Sequence, residues 1–350
     1  MDFMEIVKDG VEKKASDIHI TVGVPIIYRI NGKLIKINDE VLTPQMIEKM
    51  VNDILNSNQL QELKETGEID TSFSATGVAR FRVNIYKQRG SYCLAIRIIP
   101  LFIPTMEELG IPPIVKDLSL LSRGLILVTG PTGSGKSTTL ATMIDLINKE
   151  KNCHIITLED PIEYLHKHNR SIVNQREIGN DSKSFANALR AALRQDPDVI
   201  LVGEMRDLET ISIALTAAET GHLVLSTLHT LGAAKTVDRI IDVFPPYQQQ
   251  QIRIQLSSVI QGIISQQLLP RIDGKGRVAA FEIMIATSAI RNLIREEKTH
   301  QIDTVIQTGA QYSMQTFDNS LLNLYKKGLI DKETVITQSA NPDILRRHLF

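Results

Sequence analysis

Tryptophan is missing from this chain, and only two cysteines, Cys93 and Cys153, occur in 350 residues. Two thiols cannot build a disulfide framework or a tetracysteine zinc module, so they read as reduced thiols of a cytosolic protein. An excess of one charge is missing as well: 39 Lys and Arg stand against 40 Asp and Glu, a formal net charge of −1. That balance argues against a general nucleic-acid-coating or membrane-surface role and leaves open only a local basic patch. No run approaches the roughly 18 consecutive apolar residues that span a bilayer. Met1–Glu5 has neither the basic start nor the apolar core of a signal peptide. The expectation is a cytoplasmic protein without a transmembrane segment, whose dealings with a membrane pass through a partner.

What is present is an ordinary globular mix, 43% hydrophobic and 23% charged. At about 150 residues per domain it suggests two domains. The first hundred residues read as a mixed α/β module. Ile26–Ile30 and Lys33–Ile37 flank Asn31-Gly32, a pair that tolerates the positive φ angles of a type I′ hairpin turn. Thr43-Pro44 reads as an N-cap followed by proline at the first helical position, ahead of an apolar stripe from Met46 to Leu55. A second alternating pair of strands runs from Ala79 to Ile99 and reverses near Arg89-Gly90. Pro100–Pro113 reads as a linker.

Beyond it, short apolar runs alternate with helical stretches: Leu125–Val128, Ile155–Leu158, Val199–Val202 and Leu223–Leu225. Continuous apolar strands separated by helices imply a parallel sheet covered on both faces. A long helix is expected over Gln248–Leu269, with Ile252, Leu256, Val259, Ile260, Ile263 and Ile264 on one face. The domain reading is 1–99, a linker over 100–113, and 114–350.

Gly130–Ser137 matches the P-loop pattern, and it sits between an apolar strand and a helix, as that pattern must. Glycines at 130, 133 and 135 let backbone N–H groups wrap phosphate oxygens, with Thr132, Ser134 and Thr138 alongside. The helix N-terminus adds its positive dipole end. Lys136 would neutralise the β- and γ-phosphates, and the Ser137 hydroxyl would hold Mg²⁺. The site is one for a nucleoside triphosphate with Mg²⁺. The apolar strand ending at Glu204 has the Walker B arrangement, with Glu204 placed to hold the magnesium through water. Another strand ends in Thr157–Glu163. Glu163 would lie beyond the carboxyl ends of the strands, where it can align the attacking water and take its proton. Glu159 and Asp160 compete for that role, although capping and pairing near the turn explain both better. His222 and His229 bracket Leu223–Leu228; a neutral imidazole near the γ-phosphate could report that phosphate, whereas zinc lacks a cysteine or carboxylate cluster at ligand spacing.

Ala15–His19, the P-loop, Thr157–Glu163, Asp198–Glu204, His222–His229 and Ala289–Ile294 occur in the order found in one family. Over nearly its whole length the chain resembles the secretion ATPases of type II and type IV pilus systems, and within them the retraction branch. The resemblance implies a homo-hexameric ring, with an N-terminal PAS-like domain packed on a RecA-like P-loop core. It also implies Glu163 as catalytic base, Glu204 as magnesium-linked carboxylate, and His222 with His229 as γ-phosphate sensors. The implied partners are an inner-membrane pilus platform protein and, through it, pilin.

Extension and type II secretion ATPases of the family carry a longer N-terminal region and a tetracysteine zinc insert. The insert would fall after Gln266–Pro270, where Arg271–Arg277 passes directly on. Both differences favour retraction. A nucleic-acid translocase finds its best support in the basic, aromatic stretch Arg80–Tyr92, which lacks the glycine pattern of an RNA-binding strand. A small-molecule kinase lacks a legible acceptor site, and a scaffold would not retain Lys136, Ser137, Glu163 and Glu204.

Two further groups follow. In a hairpin turning at Arg89-Gly90, Arg82 and Arg97 face each other opposite the apolar face, a like-charge pair that calls for an anion. The phosphates of a neighbouring subunit are the favoured candidate, as for arginine fingers acting in trans. Arg190 and Arg194 are weaker candidates for that job. In Ala289–Ile294, Ile290, Leu293 and Ile294 share one helical face while Arg291 and Asn292 point elsewhere, which an ordinary packed helix explains equally well; the resemblance to the retraction motif implies that Arg291 and Asn292 couple hydrolysis to pulling.

Overall fold

The computed structural model describes residues 2–30, 32–75, 77–99, 102–340 and 342–348. The chain divides into two compact units, one of residues 1–102 with 163–165 and the other of 103–162 with 166–350.

The first unit is built on a six-stranded antiparallel sheet, in the order β3-β2-β1-β6-β5-β4. Its strands are β1 (Asp17–Ile20), β2 (Ile27–Ile30), β3 (Lys33–Lys36), β4 (Glu68–Ala75), β5 (Ala79–Gln88) and β6 (Ser91–Ile99). Helices α1 (Phe3–Glu12), α2 (Pro44–Ile54) and α3 (Ser57–Thr66) supply apolar side chains to one core with it, among them Ile6, Ile47 and Leu63. Thr43 caps α2 through the Met46 N–H, and Pro44 is its first residue. Ile30 stands opposite Lys33, and Gly32 between them has φ +80°; Asn31, the other residue of the expected turn, lies outside the described residues. Arg89 and Gly90 both have positive φ, the signature of the type I′ turn. That turn sets the β5–β6 register and places Arg82 directly opposite Arg97.

The second unit is a seven-stranded sheet in the order β13-β12-β7-β11-β10-β8-β9. Its strands are β7 (Gly124–Thr129), β8 (His154–Glu159), β9 (Ile172–Glu177), β10 (Val199–Val202), β11 (Leu223–Leu228), β12 (Ile260–Pro270) and β13 (Arg277–Ile285). All are parallel except β13. Alternate side chains enter separate cores: Leu125 and Leu127 on one face, Ile126 and Val128 on the other. Helices α4 (Ile114–Ser119) and α5 (Lys136–Glu150) pack on the second of these faces. On the first pack α6 (Phe185–Ala192), α7 (Leu208–Glu219), α8 (Ala233–Asp242), α9 (Pro246–Val259), α10 (Ser288–Arg295) and α11 (Ile302–Thr308). Helices α12 (Phe317–Lys326), α13 (Lys332–Gln338) and α14 (Pro342–His348) close over Leu269 and Ala280 in a smaller cluster.

Two expectations fail. The helix expected over 248–269 stops at Val259, and the rest is strand β12. Ile263 faces one core and Ile264 the other, which a single helical stripe cannot do. A continuous apolar run satisfies the helical template and the buried-strand template equally, and pairing with β7 decides. The linker does not run free to residue 113 either. Met106 and Ile111 are buried in the core of the second unit, and Thr105 and Glu108 cap one another there.

Candidate functional site

The P-loop leaves the carboxyl end of β7 and enters α5. Gly130 allows this turn because it has φ +143°, and a Cβ there would lie 2.2 Å from the Gln266 carbonyl oxygen. Gly133 and Gly135 are also left-handed, at +77° and +88°, and Gly135 begins the helix. Backbone N–H groups of the first turn, with Ser137 and Thr138 at its second and third positions, therefore lie beside the loop. Lys136 is buried, and its Nζ donates to the carbonyls of Gly130 (2.9 Å) and Pro131 (3.0 Å). Thr132 is exposed at the tip. The Ser134 and Thr129 hydroxyl oxygens are enclosed and have no hydrogen-bond partner among the described residues. Enclosed hydroxyls, a lysine on the loop and an open helix N-terminus fit a phosphate chain. The Ser137 hydroxyl and the Glu204 carboxylate are the groups that would hold Mg²⁺, both hard oxygen donors suited to it.

Glu204 does not follow the strand next to β7. Strand β11 lies between β7 and β10, so the carboxyl edge of the sheet runs from the P-loop through His229 to Glu204, then to the end of β8. His229 Nε2 is 3.5 Å from Glu204 Oε2, and Arg206 Nε is 2.7 Å from the same oxygen. Gly203 sits against the Leu158 carbonyl, where a Cβ would approach to 3.1 Å, so the tight strand end itself favours glycine there. Glu163 lies four residues past β8; it is exposed, and its carboxylate makes no hydrogen bond among the described residues. Glu159 is occupied instead, accepting from Thr157 Oγ1 (2.6 Å) and Gln175 Nε2 (3.1 Å).

His222 is placed differently from the expectation. It precedes β11, beside the start of β7, where its carbonyl accepts from the Gly124 N–H. Its ring contacts the Ala217 carbonyl at 2.9 Å and Thr220 Oγ1 at 3.3 Å. The six residues of β11 separate it from His229 by roughly 20 Å. In a parallel sheet the two ends of a strand lie on opposite edges, so His222 is not at the P-loop of its own chain.

Arg82 and Arg97 face one another on the polar side of the first unit, and carboxylates of that sheet reach both. Arg97 Nε is 3.1 Å from Asp17, and Arg82 Nη2 is 3.4 Å from Asp70. A second neighbour, Arg29, shares Asp17 at 3.7 Å. The pair therefore does not need an outside anion to stand opposite, although both guanidiniums remain exposed. Arg190 pairs with Glu209, and Arg194 is exposed past the end of α6. On α10, Ile290 and Ile294 are buried and Asn292 is exposed. Arg291 turns inward, donating to the carbonyls of Ser257 (2.7 Å), Ser258 (2.9 Å) and Ala286 (3.0 Å) and to Gln261 Oε1 (3.0 Å). It caps the C-terminal end of α9, where orphan carbonyls and the negative dipole end favour a cation.

Several supporting residues escaped the sequence reading. Gln266 donates to the Ser134 carbonyl (2.6 Å) and accepts from Thr139 (2.8 Å), bracing the P-loop. Reading 248–269 as helix hid it. Buried Glu177 accepts from the Ile162 N–H at 3.1 Å, one residue before Glu163. Glu282 accepts from the Ala233 N–H at 2.8 Å; burial raises its carboxyl above the ordinary value, the N–H bond pulls it back, and Asp303 and Asp318 add to the rise. No pattern in the sequence marks either glutamate. Beside the first turn of α5, a cavity of about 290 Å³ is lined by Leu109, Ile111, Thr138, Leu268, Phe281 and Arg277. Its apolar walls suit a planar base.

A parallel core with a strand between the P-loop strand and the Walker B strand, and with this carboxyl edge, is that of a P-loop ATPase of the RecA-like kind. The family model for the type II/IV secretion system proteins matches residues 1–335, and the chain belongs to that family. It is 50% identical over 343 residues to the type IV pilus retractation ATPase PilT of Pseudomonas aeruginosa, covering 98% of this chain and 99% of that protein. It is 49% identical over 333 residues to a twitching motility protein of Neisseria gonorrhoeae, covering 95% and 89%. The crystal structure of the pilus retraction motor PilT with bound ADP matches at a TM-score of 0.93 and 52% identity, with 99% of each chain covered.

Proposed function

We propose that this chain is the subunit of a homo-hexameric, ATP-driven motor that retracts type IV pilus fibres and so supports twitching motility. The observation that carries the reading is the near-complete coverage of a retraction ATPase at about half identity, in a chain that carries Lys136, Ser137, Glu163, Glu204 and His229. Backbone N–H groups at the start of α5 and Lys136 hold the β- and γ-phosphates. Glu163 accepts a proton from water as its oxygen bonds to the γ-phosphorus, and the bond to the β–γ bridging oxygen breaks. Mg²⁺ supplies charge neutralisation across the phosphates when bound, and Ser137 and Glu204 are the residues to hold it. His229, beside Glu204, is the group to register the γ-phosphate. Arg82 and Arg97 act on the phosphates of the neighbouring subunit, exchanging their aspartates for that anion.

Movement passes to an inner-membrane platform protein and through it to pilin, with the motor on the cytoplasmic side. Among the described residues no helix is long and apolar enough to cross a membrane. The second reading is an extension or type II secretion ATPase. The six residues joining β12 to β13 leave no room there for a tetracysteine insert. The deciding experiment is a deletion strain: it should display pili that neither retract nor support twitching, and Lys136→Ala should fail to restore either. Loss of pili altogether would assign the chain to extension. A rate of hydrolysis that rose with single-stranded nucleic acid would instead point to a translocase.

A further inference from the structure

We propose that Ser265 and Glu282 form a clamp that positions the His229 loop for turnover; the proposal rests on His229 acting at the γ-phosphate. Ser265 and Glu282 stand opposite each other on β12 and β13, in the row that continues through Thr129 of β7 to Leu228 of β11. The His229 loop starts from that row and returns to it. At its start the Gly130 N–H donates to the Leu228 carbonyl, tying the loop to the P-loop. At its end lies Gly232, with φ +93°, a conformation that side chains rarely adopt. Helix α8 therefore begins after a residue with no side chain to cap it, and it has no acidic residue in its first turn. The first N–H groups of a helix need acceptors, and here the sheet supplies them. The Gly232 N–H donates to Ser265 Oγ at 2.9 Å, and the Ala233 N–H donates to Glu282 Oε1 at 2.8 Å. Ser265 is buried. Between these two anchors only His229, Thr230 and Leu231 remain, and His229 Nε2 is left 3.5 Å from Glu204. Ser265 and Glu282 each accept from the backbone that ends the loop, so both are positioning residues.

The test is steady-state ATPase activity of the full assembled chain carrying Glu282→Ala, Glu282→Gln or Ser265→Ala, each made with His229 intact and with His229→Ala. Glu282→Ala should lower kcat roughly tenfold and leave KM for ATP nearly unchanged, because a displaced loop costs rate while the P-loop keeps its binding groups. Glu282→Gln should restore most of the loss, since its amide oxygen can accept the same bond. In the His229→Ala background the clamp substitutions should cost nothing further. Full kcat in both Glu282→Ala and Ser265→Ala, or a loss that multiplies unchanged onto His229→Ala, overturns the clamp. Wild-type turnover by His229→Ala alone instead overturns the sensor reading beneath it. If Glu282→Ala does not fold, the two Ser265→Ala backgrounds decide.

Discussion

Glu204 Oε2 lies 3.5 Å from His229 Nε2 and 2.7 Å from Arg206 Nε, at the ends of adjacent parallel strands. The carboxylate proposed to hold Mg²⁺ is thus also the one that a histidine and an arginine approach. Glu204→Gln should raise the Mg²⁺ concentration needed for half-maximal hydrolysis and weaken ATP binding itself far less. A magnesium titration identical to wild type would remove Glu204 from the metal site.

Glu163 has the opposite character: it is exposed, and among the described residues its carboxylate makes no hydrogen bond. Glu163→Gln should bind Mg-ATP as wild type does, since binding rests on the P-loop, and lose turnover by roughly 10²–10⁴-fold. Binding by equilibrium fluorescence and hydrolysis by phosphate release separate the two. Turnover at the wild-type rate would move the base to Glu159, despite its bonds to Thr157 and Gln175.

On the proposed ring, Lys136→Ala and the double substitution Arg82→Ala with Arg97→Ala should each be inactive alone. Mixed before assembly, they should regain part of the ATPase activity, because arginines of the first chain can complete the intact P-loop of the second. Mixed rings without activity would confine the arginines to their salt bridges with Asp70 and Asp17.

Arg291 and Asn292 should behave differently, although they are neighbours in one motif. Arg291 donates to three carbonyls and Gln261, so Arg291→Ala should cost about 1–2 kcal/mol of stability. Among the described residues the Asn292 side chain bonds only to exposed Glu296, so Asn292→Ala should leave Tm and ATPase activity in place. If that exposed face couples hydrolysis to pulling, twitching is lost in Asn292→Ala with ATPase intact; retained twitching would make the motif a packing element.

His166 supplies a pH signature. Burial pushes its pKa down to about 4, against a small opposing pull from Asp145. The unfolded chain, with an ordinary histidine, binds the extra proton between pH 6.5 and 4, so stability falls as pH falls through that window and is complete above it. At pH 5 the loss is roughly 2 kcal/mol. Replacing His166 by Gln should flatten the pH 7 to pH 5 change in Tm, and an unaltered slope would assign acid sensitivity to other groups.

The sequence by itself determined whatever is local. A strand followed by eight residues that hold three glycines, a lysine and two serines fixes the P-loop, because the turn, the helix start and the phosphate chemistry are all encoded within that short span. Arg89-Gly90 fixes a hairpin turn, and the turn alone sets Arg82 against Arg97. Tertiary structure decided what depends on strand order and on which end of a strand a residue occupies. Period and spacing are the same at both ends of Leu223–Leu228, so the sequence could not tell that His229 joins Glu204 while His222 lies on the far edge. Nor could it separate helix from buried strand after Val259, since continuous burial erases the alternation that distinguishes them. Gln266, Ser265 and Glu282 became visible only when β12 paired with β7, because hydrogen bonds between residues more than thirty positions apart leave no pattern in one sequence.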